Sequence, residues 1–340
     1  MTLSSIARPL LRPLGLLYGG VMLLRRELYR SGVLRSRKLP GAVISVGNLT
    51  VGGTGKTPMV LWIAERLAAE GHRPAILTRG YAGLGQSDSG ERTPDEVALL
   101  RRRLDGRAQF GVGKDRYAAG VGLARDGADW FILDDGFQHL ALLRDADVVL
   151  LDATDPFGGG GILPAGRMRE PRSALARADV VVITRTSHAP ALEVVVRRFT
   201  QAPIFYAQAR LDAVLRASAI AAAVPESEWR KAKYFAFCGI GNPLAFFDDL
   251  REWGFSVVGR RTFADHHRYS PAEMQRLDAA AVAAGADALV CTEKDAFNLD
   301  SATTALPIYA CRIELTLNDE DDFWGAVKAA IGRNQLRTQA

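Results

Sequence analysis

The pattern of apolar and polar positions predicts strands and helices that alternate along the first part of the chain. Apolar residues at helical spacing predict helices over 59–70 and 114–126. Short β-branched and apolar runs predict strands at 43–46, 73–78, 108–111, 130–133, 147–151 and 180–184. Alternation of this kind predicts an α/β fold, in which a mainly parallel sheet carries helices on both faces.

The pattern of predicted strands and helices changes near residue 203. Two long strand-like segments, about 204–212 and 307–317, bracket a compact block of further strands and helices. Strands are predicted at 233–238, 256–260 and 288–292, and helices at 244–253 and 271–284. We therefore predict a smaller α/β domain that is joined to the rest by two hinge strands. The predicted regions are an N-terminal helix (1–35), a larger domain (36–203) and the smaller domain (204–340).

A glycine-rich segment lies between the first predicted strand of the larger domain and its first helix. Residues 43–58 read VISVGNLTVGGTGKTP. Glycines let backbone N–H groups converge on phosphate oxygens, while the following lysine reaches the β/γ-phosphates and the hydroxyl ligates Mg²⁺. The segment predicts a P-loop NTPase-like domain that binds ATP and Mg²⁺, although Thr50 replaces the usual first glycine. The candidate loop is Thr50, Val51, Gly52, Gly53, Thr54, Gly55, Lys56 and Thr57.

A pair of carboxylates follows the predicted strand 130–133. Open α/β sheets bind ligands at the carboxyl ends of their strands, and Asp134 and Asp135 lie at such an end. Carboxylate oxygens suit Mg²⁺, so Thr57, Asp134 and Asp135 are the candidate metal ligands. Adjacent residues on a strand point to opposite faces, which predicts different roles for the two acids.

Two further acidic segments lie outside the nucleotide motifs. Asp95 and Glu96 lie in the first turn of a short helix predicted from Pro94 to about Arg103, and Asp265, His266 and His267 lie in the smaller domain. A carboxylate and an imidazole that meet could take a proton from a substrate hydroxyl. The spacing leaves open whether the two segments meet, and whether His266 or His267 faces the acid.

Several polar and basic residues are placed where an anionic substrate could use them. Arg79 follows a predicted strand, and Arg167 and Arg169 follow a run of four glycines that could let them clamp a phosphate. The candidate substrate-binding residues are Arg79, Glu96, Gln138, His139, Arg167 and Arg169.

The positive charge of the chain is concentrated at its N-terminus. Residues 1–40 contain eight Lys and Arg but one acid, a net charge of +7, whereas all 340 residues carry +5. The remainder is thus slightly acidic, and we predict no nucleic-acid partner. Three widely spaced cysteines match neither a zinc site nor a disulfide framework and favour a reducing compartment. No motif indicates an obligate protein partner.

The same N-terminal segment contains an apolar run between arginines. The run from Leu14 to Leu24 is shorter than the roughly 20 apolar residues that span a bilayer. We predict a helix that lies in the membrane interface with its arginines toward anionic headgroups. The alternative is an ordinary buried helix.

Together these motifs resemble the tetraacyldisaccharide 4'-kinase (lipid A 4'-kinase) family over nearly the whole chain. The match begins with the glycine-rich segment at residues 45–58. Further matches are Arg79-Gly80-Tyr81, Asp134-Asp135-Gly136-Phe137-Gln138-His139, Leu163-Pro164-Ala165-Gly166-Arg167, Asp265-His266-His267 and Thr292-Glu293-Lys294-Asp295-Ala296.

The resemblance implies transfer of the γ-phosphate of ATP to the 4'-hydroxyl of a tetraacyldisaccharide 1-phosphate, giving lipid IVA. It implies dependence on Mg²⁺ and a location at the cytoplasmic face of the inner membrane. It also implies that Asp95 is the catalytic carboxylate, assisted by His266. Together with Lys56 of the loop and Asp265 beside His266, these residues form the predicted catalytic set. One departure is that Pro94-Asp95-Glu96-Val97 stands where the family often has Gly-Asp-Glu-Pro.

The main alternative from another class is a P-loop switch or chaperone-type NTPase at the membrane. It shares the glycine-rich loop and the strand-end acid. It does not account for the basic, apolar N-terminus or for the acid and histidine segments outside the nucleotide motifs.

Overall fold

The computed structural model describes residues 7–80, 95–299 and 304–339, which form two compact units. Within these ranges, the first unit comprises 7–80, 103–208 and 315–339, and the second comprises 95–102 and 209–314. The predicted bounds of 36–203 and 204–340 therefore differ from the observed units at two places. Residues 95–102 group with the second unit, and residues 315–339 group with the first.

The elements of the described residues follow the predicted alternation. The helices are α1 (Ala7–Arg30), α2 (Lys56–Ala69), α3 (Asp95–Leu104), α4 (Arg116–Arg125), α5 (Pro190–Val196), α6 (Glu226–Trp229), α7 (Pro243–Glu252), α8 (Pro271–Ala283), α9 (Glu293–Ala296) and α10 (Glu320–Gln339). The strands are β1 (Ala42–Asn48), β2 (Pro74–Thr78), β3 (Gln109–Val112), β4 (Trp130–Asp134), β5 (Ala146–Asp152), β6 (Val180–Thr184), β7 (Ile204–Arg216), β8 (Ala219–Ala223), β9 (Lys233–Cys238), β10 (Ser256–Thr262), β11 (Ala288–Thr292) and β12 (Ile308–Leu317). The sequence pattern did not predict α5, α6, α9, α10 or β8.

The sheet of the first unit runs in the order β7-β6-β5-β1-β4-β2-β3. Every described pair in it is parallel, which confirms the predicted fold class. Strands β1, β2, β5 and β6 are buried along their whole length, as expected for a parallel sheet that is covered on both faces. Because Val46 of β1 is in register with Asp134 of β4, the segments after these strands emerge together.

The second unit is a smaller α/β arrangement. Strand β9 pairs in parallel with β10 and β11, and β11 pairs in parallel with β12. Strand β8 is antiparallel to β7. One core of this unit contains Phe246, Phe247 and Leu250 of α7, and another contains Met274 and Leu277 of α8.

Helix α10 packs on the first unit. Phe323 and Trp324 are 0% and 1% exposed, and Trp62 of α2 meets both rings edge-on. The indole Nε1 of Trp324 donates a 2.6 Å hydrogen bond to Glu70 just after α2. These contacts explain why residues 315–339 belong to the first unit rather than to the second.

Helix α1 has one packed side and one exposed side. A Cβ on Gly15 or Gly19 would lie 3.0 or 2.9 Å from atoms of Ile162, so these glycines let the helix approach residues 162–165 closely. Half of the large exposed apolar side chains among the described residues lie between residues 14 and 34. On α1 they are Leu14, Leu16, Leu17, Val21, Leu23 and Leu24, exposed by 37% to 76%. Within the described ranges, no helix meets the length and apolarity needed to span a bilayer.

Candidate functional site

The glycine-rich loop joins β1 directly to α2. Strand β1 ends at Asn48, and Lys56 is the first residue of α2. Gly52 and Gly55 have φ angles of 127° and 84°, a backbone region that favours glycine, and Gly55 caps the helix. The loop therefore ends at a helix N-terminus, where backbone N–H groups and the helix dipole favour an anion.

The first half of this loop is held by the segment that follows the four glycines at 158–161. Val51 N donates to Arg167 O at 2.8 Å, and Arg169 N donates to Leu49 O at 2.7 Å. Thr50 forms an isolated antiparallel bridge with Met168 between them. Thr50, which replaces the usual first glycine, thus serves as a β-bridge residue.

The side chain of Lys56 lies between two polar partners. Its Nζ is 3.3 Å from Asn48 Oδ1 and 3.5 Å from Asp135 Oδ1. The side chain is only 16% exposed, so these contacts hold the ammonium inside the loop region. Sequence reasoning did not single out Asn48, although its place at the end of a buried strand was a usable signal.

The two adjacent acids occupy different backbone environments. Asp134 ends β4, is 5% exposed and accepts a 3.3 Å hydrogen bond from the Thr78 hydroxyl. Asp135 lies beyond the strand with φ of 51°, so the expected strand alternation was the wrong argument for separating the two side chains. A turn in the left-handed region redirects Asp135 instead.

Asp135 forms ion pairs with two cations. Arg169 Nη1 lies 2.6 Å from its Oδ2, and Lys56 lies on the side of Oδ1. Burial by itself raises the pKa of this carboxyl, but Lys56, Arg169 and Arg116 outweigh that effect and lower it below the usual value. Asp135 therefore stays ionised and links Lys56 to Arg169.

Gln138 is held by hydrogen bonds within the first unit. Its Nε2 donates to Asn48 O at 3.0 Å, and Arg169 Nη1 donates to its Oε1 at 3.3 Å. Arg25 of α1 donates to the backbone oxygen of Gln138 at 3.1 Å. Helix α1 is thus connected to the segment that carries Asp134 and Asp135.

The other candidate substrate residues of the first unit have varied surroundings. Burial, with the charges of Arg116, Arg144 and Arg25, lowers the pKa of His139 to about 4, so this side chain is neutral at neutral pH. Arg167 pairs with Asp155 at 2.5 Å and is about half exposed. Arg79 follows β2 and is exposed.

In the second unit, the structure brings together Asp95 and His266, which are 171 residues apart in sequence. His266 Nδ1 lies 3.0 Å from Asp95 Oδ1 and 3.1 Å from Oδ2. The neighbouring His267 has its Nε2 3.3 Å from Glu273 Oε1 instead. The geometry thus selects His266 as the histidine that faces the acid.

Lys294 and Asn298 complete the surroundings of this pair. Lys294 Nζ lies 3.3 Å from both Glu96 Oε1 and Asp265 Oδ1, and 3.8 Å from Asp95 Oδ2. Asn298 Nδ2 donates to Asp95 Oδ2 at 3.1 Å. Sequence reasoning missed these two roles, although the segment at 292–296 was one of the motifs quoted above.

The pair shifts the acidity of both partners. Burial alone raises the pKa of Asp95, but the hydrogen bond from His266 and the charge of Lys294 lower it to about 2. The hydrogen bond to Asp95 raises the pKa of His266, against the opposing effects of burial and Lys294. A hydrogen-bonded carboxylate–imidazole pair of this kind can orient a hydroxyl and accept its proton.

The predicted residues therefore fall into two groups by unit. The loop, Asp134, Asp135, Arg79, Gln138, His139, Arg167 and Arg169 belong to the first unit. Asp95, Glu96, Asp265 and His266 belong to the second.

Comparison with known proteins identifies relatives along nearly the whole chain. A family model described as tetraacyldisaccharide-1-P 4'-kinase (LpxK) matches residues 7–332. Proteins named tetraacyldisaccharide 4'-kinase from Desulfotalea psychrophila and from an Anaeromyxobacter species (strain Fw109-5) are 38% and 40% identical. The first match covers 91% of this chain and 93% of the relative, and the second covers 99% and 95%.

A solved structure also matches. The crystal structure of an LpxK from Aquifex aeolicus, described as an "apo" form in complex with ATP, aligns with a TM-score of 0.72 at 30% sequence identity. The alignment covers 95% of this chain and 99% of that one. The similarity thus extends through both units.

Proposed function

Because the chain belongs to the tetraacyldisaccharide 4'-kinase family, we propose that it transfers the γ-phosphate of ATP to the 4'-hydroxyl of a tetraacyldisaccharide 1-phosphate. The product is lipid IVA, and the reaction belongs to lipid A biosynthesis. The observation that best supports this proposal is the contact of His266 with Asp95, because a protein with a glycine-rich, phosphate-binding type of loop then also has a pair that can accept a proton. A P-loop switch needs no such pair outside its nucleotide site.

We assign binding of the donor to the first unit. The backbone N–H groups of residues 50–57 and the N-terminus of α2 suit the phosphates of ATP. Lys56 would contact the β- and γ-phosphates. These contacts would replace those that it now makes with Asn48 and Asp135. Arg169, already paired with Asp135, adds a second positive charge to this region. Phosphoryl transfer depends mainly on such positioning and charge neutralisation.

The oxygen ligands at the start of α2 and the end of β4 also fit Mg²⁺. The hydroxyl of Thr57 and the carboxylate of Asp134 are the hard oxygen ligands that this ion prefers. Asp135 already faces Lys56 and Arg169, so we give it the role of holding these cations rather than a direct place on the metal. When bound, Mg²⁺ neutralises charge on the phosphate oxygens.

We assign activation of the acceptor to Asp95 and His266. Asp95, with a pKa of about 2, is ionised at neutral pH and can accept a hydrogen bond from the 4'-hydroxyl. The proton that leaves the hydroxyl is shared by a coupled pair, whose apparent pKa values belong to both residues together. The pair can take up that proton when His266 is neutral, but it cannot do so when His266 is already protonated.

We propose that α1 places the enzyme on the cytoplasmic face of the inner membrane, where its lipid acceptor resides. The exposed leucines of α1 supply the apolar surface that an interfacial helix inserts. Arg12 is exposed on the same helix, and such arginines favour anionic headgroups.

The decisive experiment supplies radiolabelled ATP and the disaccharide lipid acceptor to the purified protein. We expect label in a lipid product that carries a new monophosphate at the 4' position. The same incubation without the lipid measures hydrolysis. Label that appears only as free phosphate, at the same rate with and without lipid, would instead support an NTPase switch.

A further inference from the structure

Lys294 occupies an unusual position, at the centre of three carboxylates from two segments of the second unit. Glu96 and Asp95 come from the first turn of α3, and Asp265 comes from the loop after β10. The three acids lie within 3.3 to 3.8 Å of its Nζ. The lysine side chain is 17% exposed, and burying so much charge is costly unless the partners compensate one another.

The position of Lys294 is itself well fixed. It lies in α9, which begins directly after β11, and Thr292 caps this helix by accepting from Asp295 N. Asp295 is 1% exposed and accepts hydrogen bonds from Gly239 N at 2.8 Å and from the Tyr269 hydroxyl at 2.8 Å. The short helix is thereby fastened to two neighbouring segments.

One of these segments holds the backbone of His266. Gly239, whose N–H is bound by Asp295, accepts a 3.1 Å hydrogen bond from His266 N through its carbonyl. His266 itself has φ of 59°, a left-handed conformation that residues with a Cβ adopt only when their surroundings enforce it. The region at 292–298 therefore binds Asp95 directly through Asn298, and it is connected to the backbone of His266 through Gly239.

We propose that Lys294 is a positioning residue for phosphoryl transfer, which holds Asp95 and Asp265 around His266 so that the pair is set to accept the hydroxyl proton. This inference rests on the function proposed above and adds a residue to it. Lys294 acts through its carboxylate partners, whereas Asp95 and His266 act on the acceptor.

The proposal has an electrostatic consequence of definite sign. The charged groups that act on His266 are Asp95 of α3, Asp265 of its own loop and Lys294 of α9. Glu96 of α3 faces Lys294, and His267 faces Glu273. The positive charge of Lys294 disfavours a protonated His266, and Asp265 favours one. Removing Lys294 should therefore raise the pKa of His266, and removing the charge of Asp265 should lower it.

The experiment measures kcat against pH for Lys294→Met, Lys294→Arg and Asp265→Asn, with saturating ATP and lipid acceptor. The acid limb of this profile is the pH range in which kcat rises as His266 loses its proton. For Lys294→Met we expect this limb to move to higher pH by about one unit or more, so that kcat near pH 7 falls about tenfold and recovers at higher pH. Lys294→Arg keeps the charge and should keep the limb near its original position. Asp265→Asn should move the limb down.

A second readout does not depend on turnover. Titration of the His266 ring by NMR in the same variants, without substrate, should show shifts of the same sign. Lys294→Gln serves in place of Lys294→Met if thermal melting shows that the latter is unfolded. Lys328→Met is the matched control, because Lys328 lies 3.5 Å from Glu70 in the first unit and should leave both readouts unchanged.

Two results would overturn the proposal. One is a folded Lys294→Met or Lys294→Gln protein whose acid limb and His266 pKa match the parent. The other is a loss of kcat by the same factor at every pH, which is the behaviour of a purely structural lysine. Failure of the proposed function is a separate result, because it appears in the parent protein as label that is released only as free phosphate, at the same rate with and without the lipid acceptor.

Discussion

His266 Nδ1 lies within 3.1 Å of both carboxylate oxygens of Asp95, so one imidazole N–H is shared between the two oxygens. The contact favours the charged form of each partner. It raises the pKa of His266 and contributes to the lowering of the pKa of Asp95 to about 2. The pH dependence of this pair is therefore the most direct quantity to measure.

The first prediction concerns that titration. Asp95→Asn removes the negative charge and should lower the pKa of His266 from its raised value toward or below 6.5, its ordinary value, as followed by NMR of the ring. Asn298→Ala is a milder companion, because it removes one hydrogen bond to Asp95 but no charge. An unchanged His266 titration in Asp95→Asn would mean that the pair is not formed in solution.

The same shifts fix the sign of a stability effect. The folded pKa of Asp95 is depressed, so its stabilising contribution is complete above about pH 4 and is lost as pH falls toward about 2. The folded pKa of His266 is raised, so its contribution is complete below about pH 6 and is lost as pH rises through that raised value. The free energy of unfolding of the parent and of Asp95→Asn can be measured by denaturant unfolding across this pH range. The difference between the two free energies should shrink at both the acid and the alkaline end.

The second prediction separates proton transfer from nucleotide binding. Asp95→Asn should lower kcat on the lipid acceptor by about 10²- to 10⁴-fold, the usual contribution of a positioned base. Its affinity for ATP, measured by calorimetry or a fluorescent analogue, should stay close to that of the parent. Normal turnover of this variant on the lipid would show that another group accepts the proton.

The third prediction concerns the lysine of the loop. Lys56→Ala removes the cation proposed to contact the transferring phosphate and should lower kcat/KM for ATP by about 10²-fold or more. Lys328→Ala is the control, since it removes an ion-paired lysine of α10 in the same unit. Equal activities of the two variants would contradict the assignment of Lys56.

The fourth prediction concerns the exposed leucines of α1. Replacing Leu16, Leu17 and Leu24 with serine should shift the protein from vesicles of anionic phospholipid to the supernatant, because each change removes apolar surface available to the bilayer. The control replaces Leu244, Val282 and Leu336, which are similarly exposed elsewhere. Sedimentation that is reduced equally by both sets would argue against a specific role of α1.

The residues that were predictable from sequence are those whose chemistry is local. The loop is predictable because the order of its residues alone supplies the flexibility, the cation and the hydroxyl, which come from Gly52 and Gly55, Lys56, and Thr57. Asp134 follows from its place at the end of an apolar strand. The fold class followed in the same way from alternating strands and helices.

The residues that were missed depend on contacts that are distant in sequence. Asn298 meets Asp95 across 203 residues, and no local spacing predicts such a contact. The direction of Asp135 depends on a backbone turn that departs from the strand pattern. The grouping of 315–339 with the first unit depends on Trp324 meeting Glu70, 254 residues away.

That last contact constrains the order in which the protein can be completed during translation. The nucleotide loop emerges from the ribosome early, but the aromatic side chains that cover α2 belong to α10 and are made some 250 residues later. Trp62 consequently stays uncovered by α10 while the second unit, whose described residues end at 314, is synthesised. The glycine-rich loop is therefore among the first parts of the chain to be made, and the packing that completes its unit is among the last.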